Sequence, residues 1–290
     1  MKLALRIEVA TLRGTRNGVP RLMELLKQHH AGATFLFSLG PDHTGRAIGA
    51  LPRVPRLRCY GPAALLSGTL LPGLDIGARC AGVMRAARAE GFEAGIHAYD
   101  RAGWLLGAGG ASEAWTLSAM RRARARYEEI FGAPALTLGA PGWRMNRYAW
   151  RFTQRLGFRH CSDTRGSCPF VPIMDGEIVA CPQLPTTLPT LDELLAGGIA
   201  PDGIPRRLLE LTRHPAPTGH VYTLRAEIEG GRYAPVLDEL LAGWRAQGYG
   251  ITSLRDYAAG LNLAHLPRHR VSVETDARGG FYTQGIEFLA

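Results

Sequence analysis

The chain has 290 residues and carries 34 Lys and Arg against 25 Asp and Glu, a net charge of +9. That length holds one large α/β domain, or two small ones, with a core that needs no covalent staples. The surplus charge favours anionic partners, whether nucleic acid, an anionic membrane face or a phosphorylated substrate, while cysteines at 59, 80, 161, 168 and 181, odd in number and in no CxxC pair, argue against a disulfide framework and a zinc knuckle.

In chain order, apolar runs that read as buried strands alternate with stretches of helical periodicity. Leu3 to Val9 is the first strand, with Glu8 just before its exit into the basic loop "LRGTR"; the helix Val19 to His30 and the strand Ala33 to Leu39 follow. Next come the helix Cys80 to Glu90, the strand Glu93 to His97, the helix Thr116 to Phe131 and the strand Ala135 to Leu138. The second half continues with the helix Tyr148 to Leu156, strands at His160 to Asp163 and Glu177 to Cys181, and the helix Arg206 to Arg213. It ends with the strand His220 to Ala226, the helix Val236 to Gln247, the strand Gly250 to Thr252 and the helix Leu254 to Ala259. Such βα units predict an α/β fold, a (β/α) barrel of seven or eight strands, complete or distorted, over residues 1–262. Residues 263–290 hold a strand pair, Arg270 to Glu274 and Phe281 to Glu287 around "DARGG", and read as a strap or hairpin.

Residues 50–73, "ALPRVPRLRCYGPAALLSGTLLPG", break this rhythm and are too apolar for an ordinary loop. Two readings stand open. The insertion caps the barrel, or it is a peripheral membrane contact in which arginines meet anionic headgroups and leucines enter the boundary region. The N-terminus lacks the pattern of a signal peptide, and no apolar run approaches the ~20 residues that span a bilayer. The expectation is a cytoplasmic protein, with attachment at the inner face of the cytoplasmic membrane as the second reading.

In barrels of this kind chemistry sits at the C-terminal ends of the strands. Those exits carry Glu8 and Ala10, Ser38 and Gly40, His97 with Asp100 and Arg101, Arg144, Asp163 with Arg165, and Arg225 with Glu227 and Glu229. The order "RIEVATLRGTR", "GIHAYDRAGW", "APGWR", "CSDTRGSCPF", "LPTTLPT", "VYTLRAEIEG" runs unbroken from about Leu3 to Leu261. It resembles the polysaccharide deacetylase (NodB-homology) superfamily, and within it the branch that deformylates 4-deoxy-4-formamido-L-arabinose-phosphoundecaprenol in lipid A modification. The resemblance implies a distorted barrel of that type and a divalent metal such as Zn, Mn or Co, held by one aspartate and two histidines. A second aspartate would be the general base and a further histidine the general acid. The metal polarises an unreactive amide carbonyl and acidifies water while the base takes the proton.

Carried over residue by residue, the base position holds Glu8 and the aspartate ligand position holds Ala10. The paired-histidine motif keeps His97 but has Arg101 for its partner, and the acid position holds Arg225. A methyl group cannot bind a metal, and a guanidinium stays protonated and cannot ligate. Candidate catalytic positions are thus Glu8, His97, Asp163 and Arg225, and candidate ligand-binding positions are Arg101, Trp143, Arg144, Arg165 and Glu227. No metal cofactor is expected. A substitute ligand set of Glu8, His97 and Asp100 is an acceptable donor combination, but Arg101 and Arg225 would place two cations where the ion belongs. The leading expectation is a diverged member that binds a sugar or lipid-linked sugar phosphate without metal-dependent hydrolysis, Glu8 anchoring Arg101 or Arg225. The alternative is an active hydrolase of carbohydrate amide C–N bonds with an altered site, Glu8 as base and an arginine as oxyanion stabiliser. Scattered basic residues with no recognised motif give no support to nucleic-acid binding.

Overall fold

The first strand, β1 (Lys2–Val9), is buried at every position from Leu3 to Val9, as a central parallel strand covered on both faces must be. The computed structural model describes residues 1–214, 216–275 and 281–287. After β1 come α1 (Val19–Gln28), β2 (Thr34–Ser38), α2 (Arg56–Leu66), α3 (Ile76–Ala89), β3 (Glu93–Ala98), α4 (Arg101–Gly107) and α5 (Glu113–Phe131). Then follow β4 (Thr137–Leu138), α6 (Arg147–Arg155), β5 (His160–Cys161), β6 (Val171–Met174), β7 (Glu177–Ile178), α7 (Leu191–Ala196) and α8 (Gly203–Leu211). The described chain closes with β8 (His220–Arg225), α9 (Ala234–Ala246), β9 (Gly250–Thr252), α10 (Leu254–Ala259), β10 (Arg268–Thr275) and β11 (Phe281–Glu287).

The main sheet is parallel, in the order β5-β4-β3-β2-β1-β8, with β9 added beside the start of β1. Among the described residues no strand fills the gap between β5 and β8. The irregular segment 183–188 runs through it, the Leu184 N–H donating to the Cys161 carbonyl at 2.8 Å and the Thr187 N–H to the Val221 carbonyl at 3.0 Å. The result is the expected α/β barrel in distorted form, with seven strands.

One predicted strand belongs elsewhere. Of Glu177 to Cys181 only Glu177–Ile178 is a strand, and it pairs antiparallel with β6 in a separate four-stranded sheet, β11-β10-β6-β7. The Asp175-Gly176 turn, with φ of 50° and 80°, reverses the chain at once and leaves no room for the crossover a parallel barrel strand needs. The expected C-terminal pair is present as β10 and β11, antiparallel from His269 opposite Glu287 to Thr275 opposite Phe281; its "DARGG" link lies outside the described residues. Thr283 docks this sheet on the barrel, its hydroxyl lying 2.9 Å from both the Trp143 and Asp163 carbonyls, with its one proton for either.

Helix starts follow local chemistry. Asp75, Asp100, Ser112, Asn146 and Ser253 each accept a hydrogen bond from a first-turn N–H, satisfying donors that the helix itself cannot. Thr190 and Glu193 form a capping box that starts α7. The Asp100 cap puts Arg101 on the first residue of α4, at the exit of β3. The insertion folds around α2, which is interrupted by Gly61 at φ 77°; its Tyr60 turns inward and is buried, while Leu57 is 62% exposed and Leu70 81%. All five cysteines are free thiols.

Candidate ligand-binding site

A cavity of about 610 Å³ opens at the C-terminal ends of β1 and β8. Glu8 and Arg225 form its floor, and its walls come from Arg101 and Leu105 of α4, Trp143 and Arg144, Arg165, Asp192 and Glu193 of α7, and Tyr282 of β11. The insertion side contributes Arg46, Ala50, Pro52 and Arg53. Among the described residues, six arginines therefore face three acids.

On the floor, charges alternate. Arg6 is wholly buried and donates through Nη1 to Glu8 Oε1 at 2.6 Å, through Nε to the Ser162 carbonyl at 3.1 Å and through Nη2 to the Ala140 carbonyl at 3.2 Å. Glu8 and Arg225 are register partners on adjacent parallel strands, and Glu8 Oε2 lies 3.1 Å from Arg225 Nε. That contact is an ion pair without hydrogen-bond alignment. Arg225 Nη1 in turn donates to Asp192 Oδ1. Burial alone would raise the Glu8 carboxyl, but Arg225, Arg6 and His97 overcome it and hold the group well below the usual carboxylate range. Glu8 thus anchors Arg225 and Arg6. It makes no ion pair with Arg101, the other partner considered from the sequence.

His97 is buried, and its Nδ1 lies 2.7 Å from the Gly139 carbonyl. A carbonyl only accepts, so Nδ1 carries the proton and Nε2 a lone pair; Nε2 has no partner among the described residues. Burial, reinforced by Arg6 and Arg101 against the pull of Glu8, lowers this imidazole to about 3, so it is neutral near pH 7. Among the described residues Arg101 finds no side-chain hydrogen bond or ion pair, and its Nε and Nη1 are fully enclosed. Tyr60 of α2 stands in the electrostatic reach of Glu227, Arg101, Arg225 and Asp192, and burial keeps its phenol un-ionised.

Three residues expected at the site lie outside the cavity wall. His97 is one. Asp163 accepts from the Ala140 N–H at 2.7 Å and from Gln183 at 3.4 Å, so it braces the loop that carries Trp143. Glu227 accepts at Oε1 from the Ala10 N–H, the Thr11 N–H and the Thr11 hydroxyl, at 3.0, 2.9 and 2.9 Å. It staples the exit of β1 instead of facing the cavity. Asp100 caps α4 and meets His43 at 2.8 Å, which removes it from any ligand set with Glu8. Trp143 and Arg165 do line the cavity, the Arg165 guanidinium carbon 5.0 Å from the indole centroid. Trp143 adopts φ 54°, held there by its indole N–H donating to Thr186 at 3.0 Å. Arg144 lines the wall and donates to the Leu105 carbonyl at 2.5 Å.

Glu229, buried behind Arg225, accepts from its backbone N–H at 2.9 Å. Burial raises its carboxyl from 4.5 to about 8. Between those values the folded form keeps a proton that the unfolded form has lost, so this group's contribution to stability is full below the lower value and falls as pH rises towards the upper one. Glu229→Gln is expected to flatten that decline, measured as denaturant midpoints across the window; an unchanged slope would assign the decline to other groups.

A divalent metal of the family kind does not fit these residues. Ala10 offers a methyl group where an aspartate ligand would stand, Arg101 offers a guanidinium in place of an imidazole, and Arg225 already pairs with Glu8. Among the described residues no three His, Cys, Asp or Glu side chains converge as a metal centre requires.

Arg6, Tyr60, Asp192 and Tyr282 were not among the sequence candidates. Arg6 had a signal: residues two apart on a strand share a face, so Arg6 and Glu8 point the same way. The other three come from α2, α7 and β11, and only the tertiary fold brings them to β1.

The chain is 36% identical over 251 residues to a probable 4-deoxy-4-formamido-L-arabinose-phosphoundecaprenol deformylase of Shewanella sediminis, covering 83% of this chain and 80% of the relative. A probable polysaccharide deacetylase from Pseudomonas aeruginosa has a similar fold, with TM-score 0.60 at 16% identity over 89% of this chain and 90% of that one. A CE4-family pseudoenzyme from Bacillus anthracis superposes with TM-score 0.54 at 14% identity, over 88% of this chain and 64% of that one. At such identities the two structures speak for the fold alone. No family model matches the chain.

Proposed function

The chain belongs to the family of 4-deoxy-4-formamido-L-arabinose-phosphoundecaprenol deformylases, and from that membership we propose that it binds an N-acylated, lipid-linked sugar phosphate in the basic cavity without metal-dependent hydrolysis. The observation that carries the reading is the Glu8–Arg225 ion pair, with Ala10 beyond it, at the positions where the family keeps its base, its acid and a metal ligand. Six arginines against three acids among the described residues suit a phosphate, and Trp143 and Tyr282 add aromatic planes for a sugar ring. The metal-free hydrolase reading is weaker. A carboxyl held well below its usual range by two guanidiniums is a poor proton acceptor.

Calorimetric titration with zinc, manganese and cobalt is expected to show no stoichiometric binding in the wild type, alongside no release of formate from an N-formyl amino-sugar phosphate that the protein does bind. One tightly held ion per chain would sink the proposal.

The same reading sets the insertion face against a membrane surface. Among the described residues no helix is long and apolar enough to cross a membrane, yet Ile48, Leu57, Leu66, Leu70 and Leu71 are all exposed within one segment that also carries Arg46, Arg53, Arg56 and Arg58. Exposed leucines beside arginines suit an interfacial contact. The wild type is expected to co-sediment with anionic vesicles, and the pair Leu57→Ser and Leu70→Ser to weaken that binding by roughly tenfold or more, given ~1.5–3 kcal/mol for each leucine fully buried. Equal sedimentation of both proteins would place the contact elsewhere.

A further inference from the structure

The ion pairs on the cavity floor leave one charge over. Arg6, Glu8, Arg225 and Asp192 form a chain of alternating sign, two cations against two anions, in which each acid meets an arginine. Arg101 stands beside this chain, only 9% exposed, lining the cavity, with neither a hydrogen bond nor an ion pair for its guanidinium among the described residues. His97, next to it, is neutral. Glu227 acts on Arg101 through space but makes no ion pair with it; its Oε1 accepts from three donors at Ala10 and Thr11. The Tyr60 phenol is also uncharged.

A guanidinium presents five N–H donors in a fixed planar fork, and a desolvated charge without a partner is an unstable arrangement. A metal ion would add to the excess positive charge, whereas an oxyanion of single charge offsets it and supplies acceptors for a guanidinium that has none. We propose that the inner end of the cavity is a site for a singly charged oxyanion, a carboxylate or a phosphodiester, gripped by Arg101 at the position of a family metal ligand. This deepens the binding reading given above and rests on the cavity being a ligand site. Carboxylate and phosphodiester share the charge and the acceptor oxygens, so one experiment separates them.

Thermal unfolding of the full chain is followed with sodium formate or sodium diethyl phosphate, at constant ionic strength against chloride. At least one of the two is expected to raise the midpoint saturably, by about 5 °C at a hundredfold excess over its Kd. The anion that responds identifies the source. In Arg101→Met the rise is expected to vanish, while without added anion the variant unfolds no lower than the wild type, since it loses a charge that had no partner. Should that variant fail to fold, Arg101→Lys serves: it keeps the charge but loses the fork, and its Kd is expected to be about tenfold weaker. No saturable effect of either anion, or a rise that persists undiminished in the Arg101 variant tested, overturns the proposal. Anion binding together with failure of any N-acylated sugar phosphate to bind would overturn the sugar reading and leave this one standing.

Discussion

Glu8→Gln is expected to lower the midpoint of thermal unfolding by about 10 °C, from a loss of ~3–5 kcal/mol when one partner of a buried ion pair is removed. Arg6 is wholly buried and Arg225 nearly so. In the variant their guanidiniums would face a neutral amide whose NH₂ group is itself a donor, so at least one is left with a donor pointing at a donor. Asp192 still balances Arg225 in part, and the Ser162 and Ala140 carbonyls still accept from Arg6; these contacts keep the variant folded. The wild-type pair also has a pH signature. Because the folded carboxyl is held below its ordinary 4.5, the stability it contributes is present above that value and is lost as pH falls towards the depressed one. A base working in an open site would lose turnover on this substitution and little stability. A midpoint within about 2 °C of the wild type, at the ~2–4 °C per kcal/mol usual for chains of comparable size, would remove the ion pair from the structural role given to it.

The second large effect is a gain. Combining Glu8→Asp, Ala10→Asp, Arg101→His and Arg225→His is expected to create one divalent metal site per chain, raising zinc affinity on the order of a thousandfold over a wild type with no ligand set. His97 makes this reasonable. Its Nδ1–H is already committed to the Gly139 carbonyl, its Nε2 lone pair is unpartnered, and its buried ring is neutral near pH 7. A ligating histidine needs that tautomer, fixed by that kind of second hydrogen bond. Ala10→Asp alone should not suffice, because Arg101 and Arg225 would remain as cations beside the new carboxylate and pair with it. Metal content after dialysis and calorimetric titration check both variants. If the fourfold variant holds no ion, the family's ligand positions do not coincide in space in this chain.

Much of the barrel was legible in the residues. Leu3 to Val9, Ala33 to Leu39 and His220 to Ala226 are predominantly apolar runs of strand length, and such runs signal strands buried on both faces. The strand exits, read from those runs, led to Glu8, Arg101, Arg165 and Arg225, which do line one cavity. The run at Glu177 to Cys181 misled, since apolar character reports that a strand is covered but not which sheet covers it; the Asp175-Gly176 turn decided that. Short helices such as α4 and α7 also escaped, each having too few turns to display a period.

The amino-acid sequence by itself determined the strand and helix alternation, the methyl group at residue 10 and the guanidinium at residue 101, and the surplus of arginine. It could do so because periodicity and side-chain chemistry are local properties. Only the tertiary structure decided which charges meet. Glu8 faces Arg225 because β1 and β8 are neighbours in register, Asp192 reaches Arg225 because α7 follows the irregular segment that closes the barrel, and Glu227 is drawn away to the Ala10 and Thr11 amides. An ion pair depends on distances of a few ångströms between residues far apart in the chain. Arg101 is left without a partner by that same packing, and no pattern in its own neighbourhood announces it.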